Sequence, residues 1–206
     1  MQGRGSGRLG GTTGPTGRNP LSTALLVIDM QNAYFESPEL QKHQARMVEK
    51  TNELIRIARS ADVPVLMVCT EHEQDRSTWT LSMLDDGQGF IFSGSEQAEF
   101  IPGLEYEQLP RLVKTRDSAF VGTDLLLRLR NWNVEHLVLA GVATHNCVGQ
   151  TAAEAFAHNF RVVFAGEAVA STDEEYEKSM LKLLTDEYRQ QIMDNAELRK
   201  FLTGSD

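Results

Sequence analysis

The chain has 206 residues, 41% of them hydrophobic, and 29 acidic residues against 20 basic ones give a formal charge of -9. This length and apolar content suit one compact domain with a substantial core, and the negative balance repels phosphate backbones and anionic membrane surfaces, so neither nucleic acid nor membrane is expected as a partner. The apolar runs are too short to cross a bilayer, the first residues hold no apolar signal core, and two cysteines make no disulfide framework, which together imply a cytoplasmic protein.

In chain order, the opening segment MQGRGSGRLGGTTGPTGRNP, residues 1–20, is rich in Gly, Thr and Arg and can bury almost nothing. It is expected to be a disordered arm, with the folded domain running over 21–206. The first apolar run, ALLVID from Ala24 to Asp29, reads as a strand. Met47, Thr51, Leu54, Ile55 and Ala58 then recur at helical spacing. A second strand is expected in VPVLMVCT, Val63 to Thr70. From Glu71 to Pro110 the pattern loosens around Gly87, Gly89 and Gly94 and reads as an elaborated loop region near the mouth of a site. RLVKT (Arg111 to Thr115), HLVLAGV (His136 to Val142) and RVVFAG (Arg161 to Gly166) follow as further strands, with a small-residue helix, TAAEAFA, between the last two. All five runs are continuously apolar, as in strands covered on both faces. Tyr176, Met180, Leu183 and Leu184 mark a helix opening at TDEE, where Thr172 can cap and Glu175 can reach back, and a short sixth strand is possible at Gln191 to Met193. Alternating strands and helices give an α/β architecture with a mainly parallel sheet.

In such sheets a ligand crevice lies at the carboxyl ends of the strands. Three of those ends are chemically loaded: Asp29 in VIDMQNAYF, Lys114 in LVKTRDSAF, and Cys147 after GVATHN. Singly, each has an ordinary explanation as a cap, a surface charge or a small buried hydrophobe. Together they place a carboxylate, an ammonium and a thiol at one edge.

The stretches LLVIDMQNAYF, LVKTRDSAFVGTDLLLRL and LVLAGVATHNCVGQTAAEAFAHNFRVVFAGEAVAS resemble the isochorismatase-like cysteine hydrolases, a group that includes nicotinamidases, N-carbamoylsarcosine amidohydrolase and streptothricin hydrolase. The resemblance runs from about Leu21 to the last helix. It implies a three-layer sandwich with a six-stranded sheet flanked by helices, and an Asp-Lys-Cys triad on Asp29, Lys114 and Cys147. It also implies an oxyanion hole of the Ala143 and Cys147 backbone amides, beside a cis peptide between Val142 and Ala143. Family members are commonly dimers or tetramers, so a homo-oligomer is expected.

Chemically, a thiolate attacks carbonyls far better than a thiol, and helix-terminal amides with the Lys114 cation are expected to favour the ionised Cys147. Asp29 can accept the thiol proton and return it to a leaving nitrogen. The substrate expected is a small carboxamide or ureido compound. Two alternatives stay open: a vinyl-ether hydrolase of the isochorismatase type, and a non-catalytic binding protein on the same fold.

His145 invites a Cys-His dyad, but the aspartate already fills the base role, and pocket lining is the plainer expectation. Tyr34, Phe35, His72, Trp79 and Phe90 are further candidates for pocket walls. Glu71-His72-Glu73 falls where the nicotinamidase-like members carry an Asp-x-His metal pair and does not reproduce its spacing, so neither a metal nor any other cofactor is expected.

Overall fold

The computed structural model describes residues 22–204. The expected arm over 1–20 lies outside them, as do the first residue and the last two of the expected domain.

Six strands form one sheet: β1 (Thr23–Ile28), β2 (Val65–Thr70), β3 (Arg111–Lys114), β4 (His136–Val142), β5 (Arg161–Ala170) and β6 (Gln191–Met193). Their order is β3-β2-β1-β4-β5-β6, and every neighbouring pair is parallel. Central β1 is wholly buried because both of its faces are covered. Leu25 and Val27 point into one core, Ala24, Leu26 and Ile28 into the other, which is the alternation of a pleated strand. Each large aliphatic side chain so buried stabilises the fold by about 1.5–3 kcal/mol.

The first core is closed by α3 (Gln44–Ser60) and α8 (Asn195–Thr203), through Met47, Leu54, Ile55 and Ala58 and through Leu198 and Leu202. The second is closed by α5 (Leu125–Asn131), α6 (Gly149–Ala157) and α7 (Glu174–Tyr188), through Leu125 and Leu129, Ala152 and Ala155, and Leu184. The result is a three-layer α/β/α sandwich. Short helices α1 (Asn32–Phe35), α2 (Pro38–Gln41) and α4 (Leu81–Asp86) decorate the loops.

From β1 the chain moves outward through β2 to β3, then returns to the other side of β1 as β4. The connections therefore diverge between β1 and β4, where an open sheet leaves a crevice at its carboxyl edge.

Three sequence expectations are corrected. β3 is an edge strand and alternates, with Arg111 and Val113 exposed and Leu112 and Lys114 buried. The cap of α7 is Asp173, whose side chain accepts from the amides of Glu175 and Tyr176, so Thr172 is not the cap. On that helix Tyr176 and Leu183 are exposed, and Leu184 carries the packing.

Candidate active site

The three loaded strand ends meet, but by a route that the sequence did not suggest. Asp29 follows β1, and Cys147 follows β4, which are neighbours; Lys114 ends β3, two strands away from β1. The lysine side chain reaches across the end of β2, and Thr70, the last residue of that strand, bridges the gap. Its hydroxyl donates to Asp29 Oδ1 at 3.0 Å and accepts from Lys114 Nζ at 2.7 Å and from the Tyr34 hydroxyl at 3.1 Å. One proton and two lone pairs are thus all used. Lys114 Nζ lies 2.8 Å from Asp29 Oδ2 and donates to Cys147 Sγ at 3.3 Å. Asp29 Oδ2 meets the ammonium as a charge contact without an aligned hydrogen bond, which leaves this oxygen a lone pair for another proton.

Local chain geometry sets these positions. Asp29 has left-handed backbone (φ 54), which turns the chain out of β1, and aspartate tolerates that conformation better than most residues. Gln31 then staples the edge: its Nε2 donates to the carbonyls of Thr70 and Ala98 at 2.8 and 2.9 Å, and its Oε1 accepts from the Thr70 amide at 2.8 Å. On the other side Gly141 (φ 115) lies so close to β1 that a Cβ would sit 1.9 Å from the Ile28 carbonyl oxygen. The Val142–Ala143 peptide is cis. Cys147 sits in a single wide helical turn, Thr144–Val148, one residue pair before α6 begins at Gly149.

Asp29, Lys114 and Cys147 are all buried, so their mutual fields are strong. Burial pushes the Cys147 thiol well above its ordinary value, the Asp29 carboxylate pushes it the same way, and Lys114 pulls it down without prevailing. These directions favour the protonated thiol, against the thiolate that helix amides and the cation were expected to favour. Burial by itself would lower the Lys114 pKa, but Asp29 and Cys147 together hold it above the ordinary lysine value, so it is a permanent cation. Burial raises the Tyr34 hydroxyl well above the ordinary range, reinforced by Asp29 and Cys147, so it serves as a neutral donor.

The network opens into a cleft of about 570 Å³, lined around the lysine by Tyr34, His72, Phe90, Asp117 and Asn146, with α4 on its far wall. The segment over 71–110 does form much of this mouth, through His72, Thr80, Met83, Asp86, Gln88 and Phe90. Other expected wall residues lie elsewhere. Phe35 belongs to the first core, because the helical turn of α1 directs it inward. Trp79 is buried beneath Gly89, its indole donating to the Glu73 carbonyl at 2.8 Å. His145 turns away from the cleft to hydrogen-bond Ser171 through Nδ1 and to pack edge-on against Tyr176. Thr70 and Gln31 were not anticipated from the sequence. Nor was Asp117, whose Oδ1 is 3.9 Å from Cys147 Sγ. Thr70 was signalled by being the polar end of the strand between the two charged ones.

At the place of the metal pair of the nicotinamidase-like proteins this chain has Glu71-His72-Glu73, of which His72 lines the cleft. His72 Nδ1 is tied to the Thr78 carbonyl at 2.9 Å, Glu71 is paired with Arg111, and Glu73 is exposed. Among the described residues no three His, Cys, Asp or Glu side chains gather in an arrangement that could hold a metal ion.

The isochorismatase domain model matches residues 23–197, from the first strand into α8. This chain belongs to the isochorismatase family. Within that family of hydrolases, it is 33% identical over 193 residues to nicotinamidase 3 of Arabidopsis thaliana, covering 91% of this chain and 93% of the relative. A probable inactive nicotinamidase of the same plant is 32% identical over 172 residues, covering 79% and 88%. An isochorismatase family protein from Desulfovibrio vulgaris, known from a crystal structure, superposes with a TM-score of 0.76 at 30% identity over 86% of this chain and 96% of its own. The isochorismatase-family fold is thus shared across nearly the whole described chain.

Proposed function

We propose that this isochorismatase-family hydrolase is a cysteine amidohydrolase that cleaves a C–N bond of a small carboxamide or ureido compound. The observation that carries this is the convergence of Asp29, Lys114 and Cys147 in one buried network beneath an open cleft. Asp29 takes the Cys147 proton as the sulfur attacks the substrate carbonyl, and Lys114 stays charged throughout, holding both partners. The oxyanion of the tetrahedral intermediate is received by the backbone amides of Ala143 and Cys147. Collapse breaks the C–N bond, and the nitrogen leaves with the proton from Asp29, as ammonia or an amine. Water then attacks the thioester with Asp29 again as base. The acid is released and the thiol restored, so the balance is one amide and one water to one acid and one amine. With burial and Asp29 both disfavouring the free thiolate, proton transfer to Asp29 accompanies attack.

Relatives that act on nicotinamide by name make that amide one member of the test panel, although the residues beside His72 do not supply a metal site. A second reading, a binding protein without turnover, draws support from the relative described as probably inactive. We also take the protein to act in the cytoplasm as a homodimer or homotetramer. No described helix is long and apolar enough to cross a membrane, and Leu81 and Leu84 on α4 and Phe90 in the cleft wall are exposed apolar side chains that a second copy could cover. The deciding experiment is ammonia release from a panel of carboxamides and ureido compounds by the wild type and by Cys147→Ala. Turnover that vanishes in the variant supports the assignment, and binding without any turnover by the wild type favours the second reading.

A further inference from the structure

Resting on the amidohydrolase assignment, one carboxylate beside the thiol narrows the substrate. Asp117 Oδ1 lies 3.9 Å from Cys147 Sγ, and its other oxygen accepts from Gln150 Nε2 at 2.9 Å. Gln150 Nε2 also donates to Asn146 Oδ1 at 2.8 Å, so this carboxylate is held in place by neutral groups. Asp117 forms no ion pair with any described residue. Lys114 is paired with Asp29, and Arg116 keeps its charge while its Nη1 donates to the carbonyls of Thr78 and Thr115 at 2.9 and 2.6 Å. Asp86 adds a second carboxylate to the same cleft. With Lys114 and Asp29 cancelling, one guanidinium faces two carboxylates around the space where a substrate must lie. An unpaired negative charge thus lies in direct contact with the reacting sulfur.

We propose that Asp117 is the specificity-determining residue of this site, selecting small carboxamides that carry an ammonium or similar cation near the scissile carbonyl and rejecting those with a carboxylate there. A cationic substituent next to the carbonyl finds an anchored partner that costs little reorganisation. An anionic one meets like charge in a partly buried cleft. Ureido acids are disfavoured by the same field, whereas neutral amides are tolerated. The Gln150 and Asn146 amides matter because they fix the carboxylate without neutralising it.

The selection is testable on the thiol itself, with no turnover required. The wild type, Asp117→Asn and Asp117→Glu are alkylated with iodoacetamide, which is neutral, and with iodoacetate, which is anionic and of nearly equal size. Rates at Cys147 are followed by peptide mass spectrometry, which separates them from Cys69, and are normalised to a small free thiol. Taking the ratio of the two reagents removes any change in thiol ionisation common to both. The neutral-to-anionic ratio should be high in the wild type, fall about tenfold or more in Asp117→Asn, and be largely retained in Asp117→Glu, as expected for one charge pair at this range. In the wild type the ratio should also shrink as salt rises, since added ions screen the field, and that measurement needs no variant to fold. A ratio unchanged within twofold in Asp117→Asn and indifferent to salt overturns the proposal. In parallel, kcat/KM is compared for β-alaninamide and succinamate, which share a chain length and differ in terminal charge. The wild type should prefer the cationic amide, and Asp117→Asn should flatten the preference. If the alkylation ratio responds while neither these nor the panel amides are cut, charge selection stands and the amidohydrolase assignment fails. If amides are cut but Asp117→Asn leaves both ratios unchanged, the assignment stands and charge selection fails.

Discussion

Asp29→Asn keeps the shape of the side chain and removes its charge, so it isolates what the carboxylate does for the fold. Lys114 Nζ lies 2.8 Å from Asp29 Oδ2, and the two side chains are 1% and 0% exposed. With an effective dielectric constant of about 20, unit charges at that separation attract by about 6 kcal/mol. Some of this is retained, because the amide oxygen still accepts from the Thr70 hydroxyl and the ammonium keeps its bonds to Thr70 and Cys147. What remains is a buried cation without a counter-charge, and removing one partner of such a pair costs about 3–5 kcal/mol. Asp29→Asn should lose that much stability, and Lys114→Met should lose a similar amount by stranding the carboxylate. The double variant Asp29→Asn/Lys114→Met buries no net charge and should be more stable than either single one, a coupling that a double-mutant cycle reads directly. The assay is urea unfolding by far-UV circular dichroism at pH 7, with m-values compared to confirm that the same transition is observed. A loss below about 1 kcal/mol for Asp29→Asn, or a double variant whose loss is the sum of the singles, would refute the account of a tightly coupled buried pair.

Gly141→Ala should be severely destabilising, by more than about 3 kcal/mol, because its Cβ would sit 1.9 Å from the Ile28 carbonyl oxygen at φ 115. Gly87→Ala, at φ 65 with nothing within 4 Å, should cost only about 1 kcal/mol in the same unfolding assay; equal losses would count against the close approach of β4 to β1. Stability should fall on the alkaline side. Cys147, Tyr34 and Lys114 all have folded-state pKa values above their unfolded ones, so their contributions are complete below the unfolded values and are lost as pH rises. The fall should begin near pH 8.5, where an unfolded thiol ionises at about its ordinary value, and steepen above about pH 10. Cys147→Ala should reduce the early part and leave what the buried Cys69 thiol contributes, since burial raises that group too, and urea midpoints from pH 7 to 11 would show whether it does. Exhaustive chelation should leave ammonia release unchanged, since Glu71 is paired, Glu73 is exposed and no three His, Cys, Asp or Glu side chains among the described residues gather to hold a metal; loss of activity restored by zinc or iron would contradict this.

The fold was largely legible because it is written in apolar runs. A continuous stretch such as HLVLAGV can lie only where both faces are covered, and that requirement forces a central strand between helices. Edge strands are less legible. RLVKT looks like a buried run, but β3 lies at the sheet edge and leaves Arg111 and Val113 exposed, a position that no local pattern announces. Strand order is not written in local pattern either, so the sequence placed Asp29, Lys114 and Cys147 at strand ends without revealing that Thr70 lies between them. Short aromatic segments were the weakest guide. Phe35, Trp79 and His145 each carry a side chain that suits a pocket wall, and their direction was set instead by a helical turn, by the space over Gly89 and by the Ser171 hydroxyl. The thiol's ionisation is hard to read locally for a related reason. Position beside a helix suggested a stabilised anion, whereas burial and the adjacent carboxylate, both tertiary, outweigh it.

The central claim is that Cys147 carries the acyl group during turnover. Enzyme quenched in acid while hydrolysing a carboxamide should show, by intact-mass and peptide mass spectrometry, the acyl mass on the peptide containing Cys147 and not on that containing Cys69. Added hydroxylamine should divert the same acyl group to a hydroxamate, and Asp29→Asn should form the adduct about 100- to 10,000-fold more slowly, the range of general acid-base catalysis. An adduct on Cys69, or full turnover by Cys147→Ala, would contradict the account.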